Sequence, residues 1–431
     1  MKDYIKKVFW KVPIPLSWKV KLRGFFPQAK ENQVMQGCEE LRPLAQDVLL
    51  DYCKTVLNIP TSKSEFYCDY QQHDINSGKK ALICAYYLTQ YHPTEKNNLW
   101  WGKGTTEWTN VSKAVPQYPG HYQPRLPGEL GYYDVRLAEN MYRQIELAHN
   151  YGIDAFAFYY YWFNGERALE MPFESFIAHK DMNQKFCLCW CNEDWTKRYS
   201  GTSSEVLLSV GKSQDSYIRF IESVIPYFKD ERYIQINGRY VLIIYRPSEV
   251  PECETTLNKW REIVKEKTGK DLYLIASQER RISADWLKKG FDANSQFHPA
   301  SCIDEAKEIT KDISYVRSDF NGHIYEYEHT SHKAIELLQK TEKMYPAVMP
   351  MWDNTSRRNN SPNVFEGSTP SLYRQWLDEA ISYVNKNNKL EEKLVLINAW
   401  NEWGEGAYME PDRYYGYAYL EETYKANFLM Q

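Results

Sequence analysis

A chain of 431 residues is too long for one small core and suits a barrel-sized domain with an extension. Its formal charge of -4 gives no general attraction to nucleic acid, and nowhere does it approach the roughly 20 consecutive apolar residues of a membrane-spanning helix. Aromatic side chains reach 15%, with 35 Tyr and 14 Trp, more than a core requires. Flat apolar faces with a polar edge are what sugar rings stack on, although many of these rings serve as ordinary packing.

Residues 1–30 set Lys2, Lys6, Lys7, Lys11, Lys19, Lys21, Arg23 and Lys30 against one acid, Asp3, with Phe9, Trp10, Trp18, Phe25 and Phe26 interleaved. Basic and aromatic residues together suit peripheral contact with an anionic membrane surface. A solvated tail that packs its rings on the main domain is the equal alternative. Residues 1–12 lack a continuous apolar core, so no export signal is expected, and the nine cysteines are expected as free thiols in a cytoplasmic protein. Residues 39–57, with Leu41, Leu44, Val48, Tyr52 and Val56 near helical spacing, read as a packed helix. After Asn76-Ser77-Gly78 the pattern changes, dividing the chain into an extension, 1–80, and a catalytic domain, 81–431.

In the second part short apolar runs alternate with helical patterns. Strands are expected at 81–87, 153–160, 185–191, 240–245, 272–276, 291–294, 345–351 and 394–399, and helices at 134–150, 214–227, 255–267, 284–288, 330–344 and 371–387. Eight buried strands with crossovers imply an α/β fold, a (β/α)8 TIM-type barrel. An open doubly wound sheet gives the same alternation, but no glycine-rich phosphate turn follows any strand. Cys187, Cys189 and Cys191 alternate along the third strand and read as small core residues, because a metal site wants a fourth ligand and different spacing. No cofactor or metal is expected.

Active residues of a barrel collect where strands end. Here those ends carry His92, then Trp101, Glu107 and Trp108 in the long first loop; Tyr160; Trp190, Asn192, Glu193 and Trp195; Tyr245; and Trp352. Any single aromatic among these is more often packing than ligand. Their joint position describes a polar cleft with aromatic walls, so all are candidate sugar-binding residues.

The eighth strand runs into Asn398-Ala399-Trp400-Asn401-Glu402-Trp403-Gly404-Glu405-Gly406. Glycosidic chemistry needs one carboxyl to protonate the leaving oxygen and a second on the far side of the ring. Glu402 and Glu405 cannot share a face of an extended strand, so the chain must turn between them, which Gly404 and Gly406 permit. The pair are the candidate catalytic residues, flanked by Asn401 and Trp403 as substrate contacts. A surface loop with two solvated acids is the competing reading, and the surrounding Trp and Asn side chains disfavour it.

Several stretches together resemble the WbsX family, labelled glycosyltransferases of bacterial surface-polysaccharide clusters and related to glycoside hydrolase family 99. They are Tyr91-His92-Pro93, Trp100-Trp101-Gly102-Lys103-Gly104, Glu107 to Val111, Pro119 to Pro124, Tyr159 to Phe163, Cys187 to Trp190, Asn192 to Thr196, and Asn398 to Gly406 with Glu410-Pro411-Asp412. The resemblance covers about residues 81–420. It implies retaining cleavage or transfer of an α-linked glycosyl unit, with mannose-like sugars first to consider and an oligosaccharide or lipid-linked glycan as substrate. By the same resemblance Glu402 acts as base on the sugar's 2-hydroxyl and Glu405 as the acid. A nucleotide-sugar-dependent transferase and a non-catalytic glycan-binding protein stay open as alternatives. The chain departs from the family pattern at Asp194, where Asn is common, and at Gln296-Phe297, where Glu-Phe is usual, which puts substrate contacts in question.

Overall fold

The computed structural model describes residues 45–76, 78–196 and 205–429. The basic aromatic segment 1–30, and the start of the helix expected at 39–57, lie outside them. Nine parallel strand segments form the barrel: β1 (Leu82–Tyr87), β2 (Ala155–Phe163), β3 (Lys185–Trp190), β4 (Arg239–Ile244), β5 (Leu272–Ser277), β6 (Ala293–Ser295), β7 (Met344–Tyr345), β8 (Ala347–Val348) and β9 (Leu394–Ile397). Their spatial order is β7-β6-β5-β4-β3-β2-β1-β9-β8. The strand expected at 345–351 is thus split. Pro346 has no N–H to give, so β7 pairs with β6 on one side and β8 with β9 on the other. One short run therefore meets both ends of the sheet and brings the ring to near closure, helped by Leu396 N–H donating to the Pro346 carbonyl at 3.0 Å.

Around the barrel lie α1 (Gln46–Asn58), α2 (Glu95–Trp101), α3 (Glu107–Val111), α4 (Ala138–Asn150), α5 (Met171–Ala178), α6 (Gln214–Phe228), α7 (Cys253–Thr268), α8 (Tyr327–Leu338), α9 (Thr355–Arg358), α10 (Pro370–Lys386) and α11 (Ala418–Phe428). The helix expected at 284–288 is only a 3-10 turn, Leu287–Lys289, closed by Gly290 in the left-handed region. Buried strand faces explain why the apolar runs were continuous: Ile83, Phe156, Leu188, Ile243, Leu274 and Val395 have no exposed surface. Cys84, Cys187, Cys189 and Cys191 are buried free thiols.

The described part of the extension is tied to the barrel. Tyr52 donates to the Pro116 carbonyl at 3.1 Å, and His73 pairs with Glu421 at 2.7 Å while stacking on Tyr424. The outer face of α1 leaves Leu49, Leu50, Val56 and Leu57 exposed. No helix among the described residues is long and apolar enough to cross a membrane.

Candidate active site

Beyond β9, Asn398 takes a hydrogen bond from the Tyr159 hydroxyl at 3.3 Å and donates to the His298 carbonyl at 2.6 Å. The chain then doubles back as a two-stranded hairpin, Asn401–Glu402 against Ala407–Tyr408, through the 3-10 turn Trp403–Glu405. Asn401 fixes the hairpin to the end of β1, accepting from Leu88 N–H at 2.8 Å and donating to the Leu88 carbonyl at 3.0 Å. Trp403 stacks on Tyr408 at 3.7 Å, and its indole N–H donates to Glu410 at 2.6 Å. Held this way, Glu402 and Glu405 line one cleft of about 670 Å³ at the strand ends.

A single guanidinium joins them. Arg357 Nη2 lies 2.9 Å from Glu402 and Nη1 2.7 Å from Glu405, while Nε lies 2.7 Å from a third carboxylate, Glu107. Arg357 is carried by α9, whose first residue is tied down by Asp353: its Oδ1 accepts from Thr355 N–H at 3.0 Å and Thr355 Oγ1 at 2.6 Å. Asp353 is itself clamped by His121 Nε2 at 2.8 Å and Gln123 Nε2 at 2.6 Å. Gln117 N–H meets His121 Nδ1 at 3.0 Å, so Nε2 is the ring nitrogen that faces the carboxylate. Burial opposes charge on Asp353, yet His121, Arg125 and Thr355 together hold it well below the usual carboxylate range.

Burial pushes Glu402 up from 4.5 to about 8; Arg357 opposes the rise and the Glu405 and Glu107 charges add to it. Glu405 is raised as well, first by burial, with Arg357 opposing and Glu107 adding. Three carboxylates facing one guanidinium cannot all ionise in a site largely removed from water. At neutral pH the pair therefore keeps a proton, and Glu405, with 24% of its side chain exposed, is the more open member toward the cleft.

The cleft walls are aromatic: Trp100, Trp101, Tyr159, Tyr161, Trp195, Tyr245, Phe297 and Trp352. Tyr161 and Trp195 meet edge to face at 5.1 Å, and Trp100 meets Trp195 at 6.4 Å. Glu193 also lines it, bound at 3.0 Å to Arg246, whose guanidinium lies over the Tyr245 ring.

The model of the family described as glycosyltransferase WbsX matches residues 83–423. The chain belongs to the WbsX family. A protein named WxcX from Xanthomonas campestris pv. campestris (strain B100), itself uncharacterized, is 38% identical over 348 residues, 80% of this chain and 49% of that protein. This WbsX chain thus spans about half the length of that relative. Among solved structures, a glycoside hydrolase-like protein matches with a TM-score of 0.54 at 14% identity, covering 88% of this chain and 99% of that one. The GH99 endo-alpha-mannosidase from Bacteroides thetaiotaomicron matches at 0.51 and 15% identity, covering 80% and 96%. Both likenesses establish the barrel fold.

Not every WbsX-like motif residue reaches the cleft. Trp101, Glu193, Trp195, Tyr245 and Trp352 line it with the two glutamates. Tyr160 does not: successive side chains on β2 alternate, so Tyr159 and Tyr161 face the cleft while Tyr160 packs outward on Phe173, Phe220 and Tyr227. Trp190 likewise faces the helices, stacked on Phe220 at 3.5 Å. Trp108 is buried between Tyr91, Tyr133 and Trp403, donating to the Tyr133 carbonyl at 2.8 Å. His92 is buried with Nδ1 on the Thr89 carbonyl at 3.0 Å. Asn192 exchanges hydrogen bonds with the Arg246 main chain, and Asn401 and Trp403 shape the hairpin from behind. Glu107 lies behind the cleft, ion-paired with Arg357 and packed against Gly404 of the turn.

The two departures from the family pattern also find places. Asp194 lies at the cleft wall and accepts from Val210 N–H at 2.8 Å. Gln296 is buried, donating to the Ala334 carbonyl at 2.7 Å and accepting from Ala347 N–H at 3.3 Å, so it braces β8 against α8. Sequence reading missed Arg357, Tyr159, Tyr161 and Arg246 as site residues. Strand alternation would have found the two tyrosines; nothing local marks Arg357.

Proposed function

We propose that this chain is a retaining carbohydrate-active enzyme that cleaves or transfers an α-linked glycosyl unit, mannose-like among the candidates, in bacterial surface-polysaccharide metabolism. The observation that carries the reading is the placement of Glu402 and Glu405 on one turn, sharing Arg357 inside an aromatic-walled cleft at the strand ends. Family membership and the GH99-like barrel support it.

In the proposed reaction Glu402, ionised, takes the proton of the sugar's 2-hydroxyl, and the 2-oxygen attacks the anomeric carbon. The bond to the leaving oxygen breaks as Glu405 protonates it, giving a 1,2-anhydro sugar. Glu405, now a carboxylate, takes a proton from water or an acceptor hydroxyl, whose oxygen opens the three-membered ring at the anomeric carbon. The 2-oxygen recovers its proton from Glu402. Two inversions give net retention, and the scheme calls on no cofactor. It needs the pair to hold one proton, on Glu405. Burial raises both acids and carries Glu402 to about 8, so before sugar binds the proton favours Glu402, and the scheme requires it to pass to Glu405 when the sugar binds.

The family's description as glycosyltransferases favours a sugar hydroxyl over water as acceptor. We further propose a cytoplasmic, lipid-linked glycan as substrate, approached through the basic, aromatic residues 1–30. The test is incubation with a panel of α-glycosides and surface-polysaccharide fragments, with and without nucleotide sugars, followed by mass spectrometry. Products formed without nucleotide support the scheme; products formed only with it favour a nucleotide-sugar transferase, and saturable binding with no product a glycan-binding protein.

A further inference from the structure

We propose that Arg357, braced from behind by Glu107, is a positioning residue that decides which of the two glutamates carries their shared proton. The proposal rests on the two-glutamate reading above and adds a device to it.

The geometry is specific to arginine. A guanidinium presents donors in three directions within one plane, and here each direction meets a different carboxylate: Nε to Glu107, Nη2 to Glu402 and Nη1 to Glu405. An ammonium ion carries its three donors on a single nitrogen, which cannot stand within hydrogen-bond distance of three carboxylates spread around the guanidinium edge. The group is fixed from several sides. Asp353 ties down the first residue of the helix that carries it, the Ser356 hydroxyl donates to the Gly404 carbonyl at 2.7 Å inside the glutamate turn, and Glu107, with no exposed surface, holds the Nε edge. Gly404 leaves room for the pair: a β-carbon there would run into Glu107 Oε1 and approach Arg357 Nε to 2.8 Å.

Among the described residues, the charges that line the cleft or face the two acids are Glu107 from α3, Arg357 and Arg358 from α9, Glu193 and Asp194 from the loop after β3, Arg246 paired with Glu193, and Arg280. The remaining titratable neighbours are Tyr91, Tyr159, Tyr161, Cys191 and Tyr245, all pushed well up by burial and neutral through neutral pH. Among the described residues Arg357 is the cation that ion-pairs with both Glu402 and Glu405, so proton placement between them answers chiefly to it. Any shift of the guanidinium toward one acid favours that acid's anion and sends the proton to the other. Glu107 keeps the cation from leaving and, by its own charge, keeps the proton in the pair.

The test needs no substrate. The full chain, labelled with carbon-13 at glutamate side-chain carboxyls, is titrated by NMR, with resonances assigned from Glu402→Gln and Glu405→Gln. Wild type should show the Glu402 carboxyl titrating near 8. Glu107→Gln should move both midpoints down, by about one unit, and Arg357→Gln should move both up. Arg357→Lys, the variant to use if Arg357→Gln fails to fold, should leave one acid near its wild-type midpoint and raise the other. Curves for Glu107→Gln and Arg357→Lys that superimpose on wild type overturn the proposal. The predicted titration in a chain that processes no glycan would leave this device standing and sink the enzymatic reading; turnover with unperturbed titrations would do the reverse.

Discussion

Gly404 packs directly against Glu107, and a β-carbon there would displace the Glu107 carboxylate and the Arg357 Nε edge. The clash is with a side chain and not with backbone strain, since this glycine does not occupy the left-handed region. The acid pressed against it anchors the guanidinium that joins Glu402 and Glu405.

Gly404→Ala should therefore disturb the site out of proportion to its size. Overpacking a tight interior costs about 1–3 kcal/mol, so the protein should still fold with a modestly lower melting temperature. Turnover should fall much further, because Glu107 and Arg357 must move. Calorimetry alongside activity checks this; a wild-type rate in a folded Gly404→Ala protein contradicts it.

Two tryptophans from the same stretch should behave differently. Trp190 is fully buried against Phe220 and Trp260, so Trp190→Ala should cost about 3–5 kcal/mol of stability. Trp195 lines the cleft, so Trp195→Ala should chiefly raise KM and spare the melting temperature. Denaturant melts and steady-state kinetics on both proteins separate the roles.

Stability should decline from weak acid to mild alkali. Burial first raises Glu402 to about 8 and Glu410 to about 7, against 4.5 for an ordinary glutamate. A raised native value means the folded state holds its proton longer, so the contribution is complete below 4.5 and fades as pH climbs through 7 and 8. Melting temperatures across pH 5 to 9, roughly that window, should fall, with a shallower slope in Glu402→Gln. An unchanged slope in that variant contradicts the assignment.

Deleting residues 1–30 should abolish sedimentation with vesicles containing phosphatidylglycerol, while leaving the barrel folded by circular dichroism. Neutral phosphatidylcholine vesicles should bind neither protein. Unchanged binding after deletion removes the segment's proposed role.

The barrel was legible because strands buried on both faces read as unbroken apolar runs, as in Ile83 and Val395. The split of the seventh strand was also on the page, in Pro346, since a proline cannot donate in mid-sheet. At the site, strand-end position points to the glutamate pair and to Trp101, Trp195, Tyr245 and Trp352, but it does not separate them from Tyr160 and Trp190, which the two-residue alternation of a strand turns toward the helices. Arg357 was not legible at all. It lies 250 positions from Glu107 and 45 from Glu402, so only the closed barrel brings the three together.

The central claim, that Glu402 and Glu405 work on one anomeric carbon, is tested most directly by proton NMR during turnover of whichever α-glycoside the panel identifies. The first-formed product should keep the α configuration. Glu402→Gln should lose about 10²–10⁴-fold in rate on every substrate, and Glu405→Gln should lose a similar factor on poor leaving groups but far less on activated aryl glycosides. A β product from wild type, or equal and mild losses in the two variants, would contradict the account.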